Sequence, residues 1–99
     1  MSLAQIHAEN RRLIILRTLD ESNYHANEDV LKQMTEQLGH LPSKEHIRAD
    51  MAFLADHALI RLEKLPVQQG ELWIAHLLTA GREVARGRVH TGVARREPD

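Results

Sequence analysis

The sequence predicts an α+β domain that is mainly helical, with a three-helix core, a β-hairpin and a short C-terminal helix. Three segments repeat apolar residues at spacings of three and four, which is typical of amphipathic helices. Another segment alternates apolar and polar residues and leads into a Pro/Gly turn, which indicates a hairpin. The 99 residues, of which 42% are hydrophobic and 27% charged, suit one globular domain.

The first helix is predicted over residues 3–19. Its apolar residues recur at close to helical spacing: Leu3, Ile6, Leu13, Leu16 and Leu19. Residues 13–16, Leu-Ile-Ile-Leu, are apolar on more than one side, so this part of the helix must be buried on most sides. Either other elements of the chain cover these residues, or a second copy does. We expect a homodimer through this helix, with an interface formed by Ile6, Leu13, Ile14 and Ile15.

Two further helices follow. Asn27 is a good N-cap for the second helix, and Gly39 is a good residue to close it. Ser43 should cap the third helix, which ends near His57 and gathers its apolar residues on one face. The connector between the two helices is short, and this makes a helix-turn-helix arrangement.

The hairpin is predicted from two strands. Residues 60–64 alternate as a half-solvated strand, residues 66–70 form the turn, and residues 71–78 form the second strand. The second strand contains Trp73. This side chain either packs within the hairpin and core or belongs to a protein interface, where tryptophan is enriched.

The C-terminal part is predicted to be short and partly unstructured. Thr79 is expected to cap a last helix that runs to Ala85. Residues 1–86 then form the domain. Residues 87–99 have almost no apolar pattern and are expected to be a flexible basic tail.

This order of elements is that of a winged helix-turn-helix domain. Residues 47–60, Ile-Arg-Ala-Asp-Met-Ala-Phe-Leu-Ala-Asp-His-Ala-Leu-Ile, resemble the recognition-helix segment of winged-helix regulators. Residues 78–83, Leu-Thr-Ala-Gly-Arg-Glu, resemble the segment after the wing in the same superfamily. The chain length and C-terminal residues 85–88 are similar to those of small winged-helix proteins of Mu-like bacteriophages and prophages. Ala58 departs from the pattern, because these regulators usually have Gly there. It indicates either a helix end without a left-handed cap or some strain.

Double-stranded DNA is the partner that this fold favours. The N-terminal residues of the second helix of a helix-turn-helix reach base edges in the major groove. We therefore expect a transcriptional regulator or a DNA-associated phage protein that uses this helix, the wing tip and an arginine arm. The candidate DNA-binding residues are Ser43, Lys44, His46, Arg48, Gln68, Gln69, Arg86, Arg88, Arg95 and Arg96.

The charges leave an alternative open. Residues 43–57 hold two basic and three acidic residues, so this helix alone attracts phosphates little. Residues 79–99 hold five basic and three acidic residues, which suits either a nucleic-acid arm or a merely solvated tail. Gln68 and Gln69 equally suit an ordinary polar turn. The alternative function is a protein–protein adaptor that uses Phe53 and Trp73 to bind a phage or host protein and does not bind DNA.

Other classes of function are disfavoured by what the sequence lacks. Without cysteine, the chain has no disulfide, no Cys-ligated zinc and no cysteine nucleophile. The seven histidines are scattered over different elements, so neither a metal site nor a cofactor is expected. Nucleophile-elbow, phosphate-loop, dinucleotide and zinc-protease motifs are absent, so we do not expect an enzyme. No apolar run approaches about 18 residues and no signal-peptide pattern is present, so we expect a cytoplasmic protein without membrane association.

Overall fold

The computed structural model describes residues 2–95, which form four helices and three strands. The elements in chain order are α1 (Leu3–Glu21), β1 (His25–Asn27), α2 (Glu28–Gln37), α3 (Lys44–Asp56), β2 (Ile60–Val67), β3 (Gly70–Leu77) and α4 (Thr79–Ala85). About half of the chain is helical, and the strands form one antiparallel sheet. The α+β class and the order of the elements agree with the prediction. Within residues 2–95, no helix has both the length and the apolar character needed to cross a membrane.

Two helices, α2 and α3, begin at the predicted capping residues. The side-chain oxygens of Asn27 and Ser43 accept hydrogen bonds from backbone N–H groups three residues on, at 3.0 and 3.1 Å. The prediction that Thr79 caps the last helix is wrong. Thr79 is already helical, so Leu78 occupies the N-cap position, and no described side chain caps α4.

All four helices of the described chain end in the same hydrogen-bonded motif. In each, the third residue after the last helical residue donates its N–H to a carbonyl five residues earlier, at 2.9–3.1 Å, which defines a Schellman motif. The motif requires a left-handed residue, and these residues are Asn23, Gly39, Ala58 and Gly87, with φ of 58°, 92°, 57° and 122°. Gly and Asn tolerate this conformation, whereas Ala does not. The departure at Ala58 is therefore a strained left-handed cap.

The sheet has the strand order β1-β3-β2. The register of β2 and β3 runs from Ile60 opposite Leu77 to Val67 opposite Gly70. The hairpin turn is therefore only Gln68 and Gln69. β2 extends to Val67, beyond the predicted 60–64, whereas β3 has the predicted length and is shifted by one residue from the predicted 71–78. Pro66 fits inside β2 because this is an edge strand, where a missing N–H need not break the ladder.

The core lies between α1 and the elements that surround it. Its largest fully buried hydrophobic residues come from four elements and one loop: Leu13, Ile15, Leu16 and Leu19 of α1, Leu31 of α2, Ile47, Met51 and Leu54 of α3, Leu59 before β2, and Ile60 of β2. Val84 of α4 and Ala75 of β3 close the cluster. Every predicted element thus contributes to one core except the tip of the hairpin.

This packing corrects the predicted dimer surface. Leu13, Ile14 and Ile15 are at most 2% exposed, because other elements of the same chain cover them. They have no surface left to give to a second copy. Of the four residues predicted for the interface, Ile6 alone is exposed, at 40%.

The segment after α4 is also different from the predicted flexible tail. Val93 is buried in the core, and the N–H of Ala94 donates to the carbonyl of Glu9 at 3.1 Å. Arg12 Nη1 donates to the carbonyl of Gly92 at 2.9 Å. Residues 92–94 therefore pack against α1. Arg96, which was predicted to belong to the basic tail, lies outside the described residues.

Candidate nucleic-acid interface

The first turn of α3 uses two of the predicted DNA-binding residues for its own capping. Ser43 Oγ accepts the N–H of His46 at 3.1 Å, and His46 Nδ1 accepts the N–H of Ser43 at 3.2 Å. This reciprocal arrangement satisfies two backbone donors that the helix leaves free. Lys44 lies between these two residues and is exposed. The capping leaves the Lys44 ammonium as the cation that this turn offers to a phosphate.

Arg48 has a different role from the predicted base contact. Its Nε donates to Glu28 Oε1 at 2.6 Å, and its Nη2 donates to Glu28 Oε2 at 2.9 Å and to the Glu71 carbonyl at 2.9 Å. Glu28 is only 1% exposed. A bidentate contact to guanine would use the same guanidinium groups. It would also leave Glu28 buried without its partner, which is costly. Arg48 therefore joins α2, α3 and β3.

Glu28 completes this connection through the backbone of β3. Its Oε2 accepts the N–H of Trp73 at 2.7 Å. Burial raises the pKa of Glu28, but the hydrogen bonds from Arg48 and from the Trp73 N–H outweigh burial, so the net pKa lies below the ordinary value of 4.5. Glu28 thus remains ionised at neutral pH and holds the Arg48 guanidinium in place.

Trp73 lies between two cations. The Arg48 guanidinium carbon is 4.6 Å from the centre of its ring, and Lys64 Nζ is 4.3 Å from it. Both partners come from the elements predicted to face DNA, since Arg48 is on α3 and Lys64 is on β2. Among the described residues, Trp73 Nε1 is buried without a hydrogen-bond partner. Lys44, one turn before Arg48, extends this group along the helix. We call Lys44, Arg48, Lys64 and Trp73 the α3–hairpin surface.

Buried Asp50 changes the charge balance predicted for α3. Arg11 Nε and Arg12 Nε donate to its two carboxylate oxygens at 2.6 and 3.2 Å. Burial raises the pKa of Asp50 above its ordinary value, against the opposing effect of Arg11 and Arg12. Because Asp50 is enclosed by two guanidiniums of α1, its charge does not face solvent. The acidic residues that oppose a polyanion on α3 are therefore Glu45 and Asp56.

Phe53 is covered by its own chain. The Arg12 guanidinium lies 3.8 Å from the centre of its ring, and the His57 ring stacks on it at 4.1 Å. Gly92 packs so closely that an added Cβ would lie 2.4 Å from Phe53 Cζ. This packing leaves Phe53 little surface for the protein interface considered above.

The other predicted DNA-binding residues lie apart from the α3–hairpin surface or contact other groups. Gln68 and Gln69 are exposed at the hairpin tip. Arg86 donates to both carboxylate oxygens of Asp20 at 3.1 and 3.2 Å, at the end of α1. Arg88 pairs with Glu83 at 2.6 Å. Arg95 is exposed, and Arg96 lies outside the described residues.

Sequence reasoning missed Glu28 as a member of this site. In the sequence Glu28 is simply an acidic residue in the first turn of α2, where an acid suits the helix dipole. Its partner Arg48 is 20 residues away and Trp73 is 45 residues away. No local pattern links positions so far apart. The alternation of β2 was visible in the sequence, but the register that sets Lys64 opposite Trp73 was not.

Comparison with known proteins identifies relatives in a phage and in a bacterium. The chain is 36% identical over 94 residues to an uncharacterized protein, gp26, of Escherichia phage Mu, and the alignment covers 94% of each chain. It is 31% identical over 65 residues to an uncharacterized protein of Haemophilus influenzae, which covers 66% of this chain and 64% of that protein. No protein-family model and no solved structure matches it. Because the similarity to the phage protein spans almost the whole of both chains, this chain belongs to the family of phage Mu gp26.

Proposed function

We propose that this protein is a small winged helix-turn-helix protein that binds double-stranded DNA. It acts as a transcriptional regulator or as another DNA-associated protein of a phage or prophage. In this proposal α3 is the recognition helix and the β2–β3 hairpin is the wing. The observation that carries it is the α3–hairpin surface, where Lys44, Arg48 and Lys64 lead from the helix to the hairpin past Trp73. A line of cations along this path suits a phosphate backbone.

The attraction to DNA should be modest. Lys44 and Lys64 carry most of it, because Glu28 neutralises Arg48. Two neutralised phosphates correspond to a slope of about −2 for the logarithm of the affinity against the logarithm of salt concentration. Glu45 and Glu71 lie next to this path in sequence and register, and they reduce the attraction further.

The C-terminal arginines add contacts in this proposal. The side chains of Arg86 and Arg88 are 55% and 63% exposed in their ion pairs with acids of this chain, and pairs that solvent screens in this way contribute little to stability. A phosphate can therefore replace those acids at little cost. Arg95 and Arg96 extend the same basic segment. Gln68 and Gln69 supply polar contacts from the tip of the wing.

A homodimer is part of the same proposal. Its surface on α1 consists of the exposed residues Leu3 and Ile6, since the rest of the predicted patch is in the core. Dimers of such domains bind two half-sites, which raises affinity without new contacts at each site. Light scattering on the wild type and on Ile6→Asp tests it. The wild type should have twice the chain mass and the variant the mass of one chain, whereas a monomeric wild type would contradict the dimer.

The test of DNA binding compares two double variants with the same loss of charge. Fluorescence anisotropy is measured with a mixed-sequence duplex across a salt series, for the wild type, for Lys44→Gln/Lys64→Gln and for Lys32→Gln/Arg61→Gln. Lys32 lies on α2. Arg61 points to one face of the hairpin, whereas Lys64 and Trp73 point to the other. The first double variant should lose about tenfold in affinity, with a slope shallower by about 2. The control double variant should stay within about twofold of the wild type.

Two results would overturn the proposal. The first is no binding by the wild type in low salt, where attraction to phosphates is strongest. The second is an equal loss in both double variants, which would mean that only total charge matters and not the α3–hairpin surface.

An adaptor that binds a phage or host protein is the second candidate. The observation that favours it is the outer face of the hairpin, where Leu65 and Val67 are 38% and 49% exposed. Leu72 lies opposite Leu65 on the same face. Apolar residues grouped on one exposed face are typical of protein contacts. This candidate predicts that Leu65→Ser/Val67→Ser removes function in the parent phage or cell while DNA binding is unchanged.

A further inference from the structure

A second concave site lies beside the first turn of α3, between that turn and the first turns of α1. The cavity has a volume of about 490 Å³ and is bounded by Ala4, His7, Arg11 and the α2–α3 connector. This volume is within the range of about 300–1,000 Å³ that is common for small-molecule sites. It is separate from the α3–hairpin surface, and nothing in the proposed DNA contacts uses it.

The polar side chains that line this cavity are imidazoles and a guanidinium. Three imidazoles, those of His7, His40 and His46, and the guanidinium of Arg11 line it, and among residues 2–95 no Asp or Glu does. Arg11 and Arg12 together face the single carboxylate of Asp50. That buried group of three therefore carries one positive charge in excess. A cavity with this lining attracts an anion and offers a cation no carboxylate.

The capping box fixes how His46 can act in this cavity. Its Nδ1 accepts the N–H of Ser43, so Nδ1 carries no proton. In the neutral ring the hydrogen must then be on Nε2, which makes this atom a donor. The His7 ring meets the His40 ring edge to face at 5.8 Å. Arg11 uses Nε and Nη2 for Asp50, which leaves Nη1 outside that pair. Residues of α1 and α3 thus bring donor groups to the lining of this cavity.

The remaining lining is apolar. Ala4, Leu41 and Pro42 contribute to it, and Leu41 is 92% exposed, which is unusual for a leucine. An inorganic ion would leave this part of the cavity unused. A molecule with an apolar body would cover it and would gain about 25 cal/mol for each Å² of apolar surface removed from water.

We propose that this cavity binds a small organic anion. Its phosphate or carboxylate group is held by His7, His46 and Arg11, and its apolar body lies on Leu41 and Pro42. The proposal does not depend on DNA binding, so the two succeed or fail separately.

The experiment follows the imidazole C–H signals of the seven histidines by NMR while a probe is added. The probes are phenyl phosphate, benzoate, inorganic phosphate and, as a neutral control, benzyl alcohol. His7, His40 and His46 report on the cavity, and the other four histidines are internal controls. We expect saturable shifts confined to the three cavity signals, with a Kd of about 1 mM for phenyl phosphate or benzoate. Inorganic phosphate should bind at least about fivefold more weakly, and benzyl alcohol should not bind.

A matched pair of variants completes the test. His7→Asn should weaken the preferred probe at least about fivefold, whereas His25→Asn, on the exposed end of the sheet, should leave its affinity unchanged. The proposal is overturned by the absence of saturation at about 20 mM probe, by equal shifts of all seven signals, by equal affinities for inorganic phosphate and both organic probes, or by a His7→Asn variant that binds like the wild type.

Discussion

Replacing Ala58 with Gly should stabilise the protein, although Gly usually lowers stability where it replaces Ala. Ala58 has φ of +57°, in the left-handed region, where the Cβ of an L-residue costs about 1–2 kcal/mol. Gly removes that cost but gives up about 0.5–1 kcal/mol of backbone entropy. The free energy of unfolding should therefore rise by about 0.5–1 kcal/mol. For a domain of this length that corresponds to an increase in Tm of about 2–8 °C.

Two other helix ends provide the opposite control. Gly39 and Gly87 have the same place in the same motif, and an added Cβ would have nothing within 4 Å at either position. Gly39→Ala and Gly87→Ala should therefore lose stability by a similar amount through backbone strain alone. Thermal unfolding followed by circular dichroism measures all three variants. A lower Tm for Ala58→Gly, or unchanged Tm values for the two control variants, would refute the assignment of strain to Ala58.

Three further predictions concern the contacts that hold the hairpin and α4. Arg48→Met leaves Glu28 buried without its partner and should lower the free energy of unfolding in urea by about 3 kcal/mol, since breaking a buried pair costs about 3–5 kcal/mol. Gly81→Ala places a Cβ 2.0 Å from the Leu59 carbonyl oxygen, so α4 must shift, and differential scanning calorimetry should show a lower Tm. The pKa of Glu28 in the folded protein lies below 4.5, so its stabilising contribution is full above that pH and is lost as the pH falls. The free energy of unfolding of Glu28→Gln should therefore fall less steeply with acid than that of the wild type, as measured by acid titration.

The local parts of the fold could be predicted from the sequence because they depend on neighbouring residues. Asn27 and Ser43 cap helices through bonds that span three residues, and Gly39 closes a helix through its own φ. At Ala58 the sequence left two alternatives, a helix end without a left-handed cap or some strain, and φ of 57° favours the second. The error at Thr79 was one residue, because Leu78 can adopt the extended N-cap conformation without a side-chain bond.

The contacts between distant segments could not be predicted in the same way. The apolar run of α1 showed that Ile14 and Ile15 had to be buried, but periodicity does not reveal whether the same chain or another chain covers them. Val93 lies in a segment without helical or strand periodicity that also holds the exposed Val89, so no pattern signalled that Val93 joins the core. The contacts of Arg48 could not be predicted for the same reason. An arginine suits contacts with DNA, yet the carboxylate of Glu28, 20 residues away, already binds its guanidinium.

The Glu28–Arg48 pair connects the fold to the proposed function by positioning the hairpin. From Lys64 to Glu71 the hairpin is exposed, so packing orients this part little. Its attachment to the helices includes the bond from Arg48 to the Glu71 carbonyl and the bond from the Trp73 N–H to Glu28. Arg48 should therefore affect DNA binding without reading a base.

Replacing both residues separates these two roles. Glu28→Met/Arg48→Met exchanges a buried pair for apolar groups, which is often neutral for stability. If the pair positions the hairpin, this variant should unfold at nearly the wild-type urea concentration yet bind DNA more weakly. Substituting guanines in the probe should then change the affinity of the wild type and of the variant by the same factor. If the wild type alone responded to one guanine, Arg48 would contact that base, and its role as a positioning residue would be wrong.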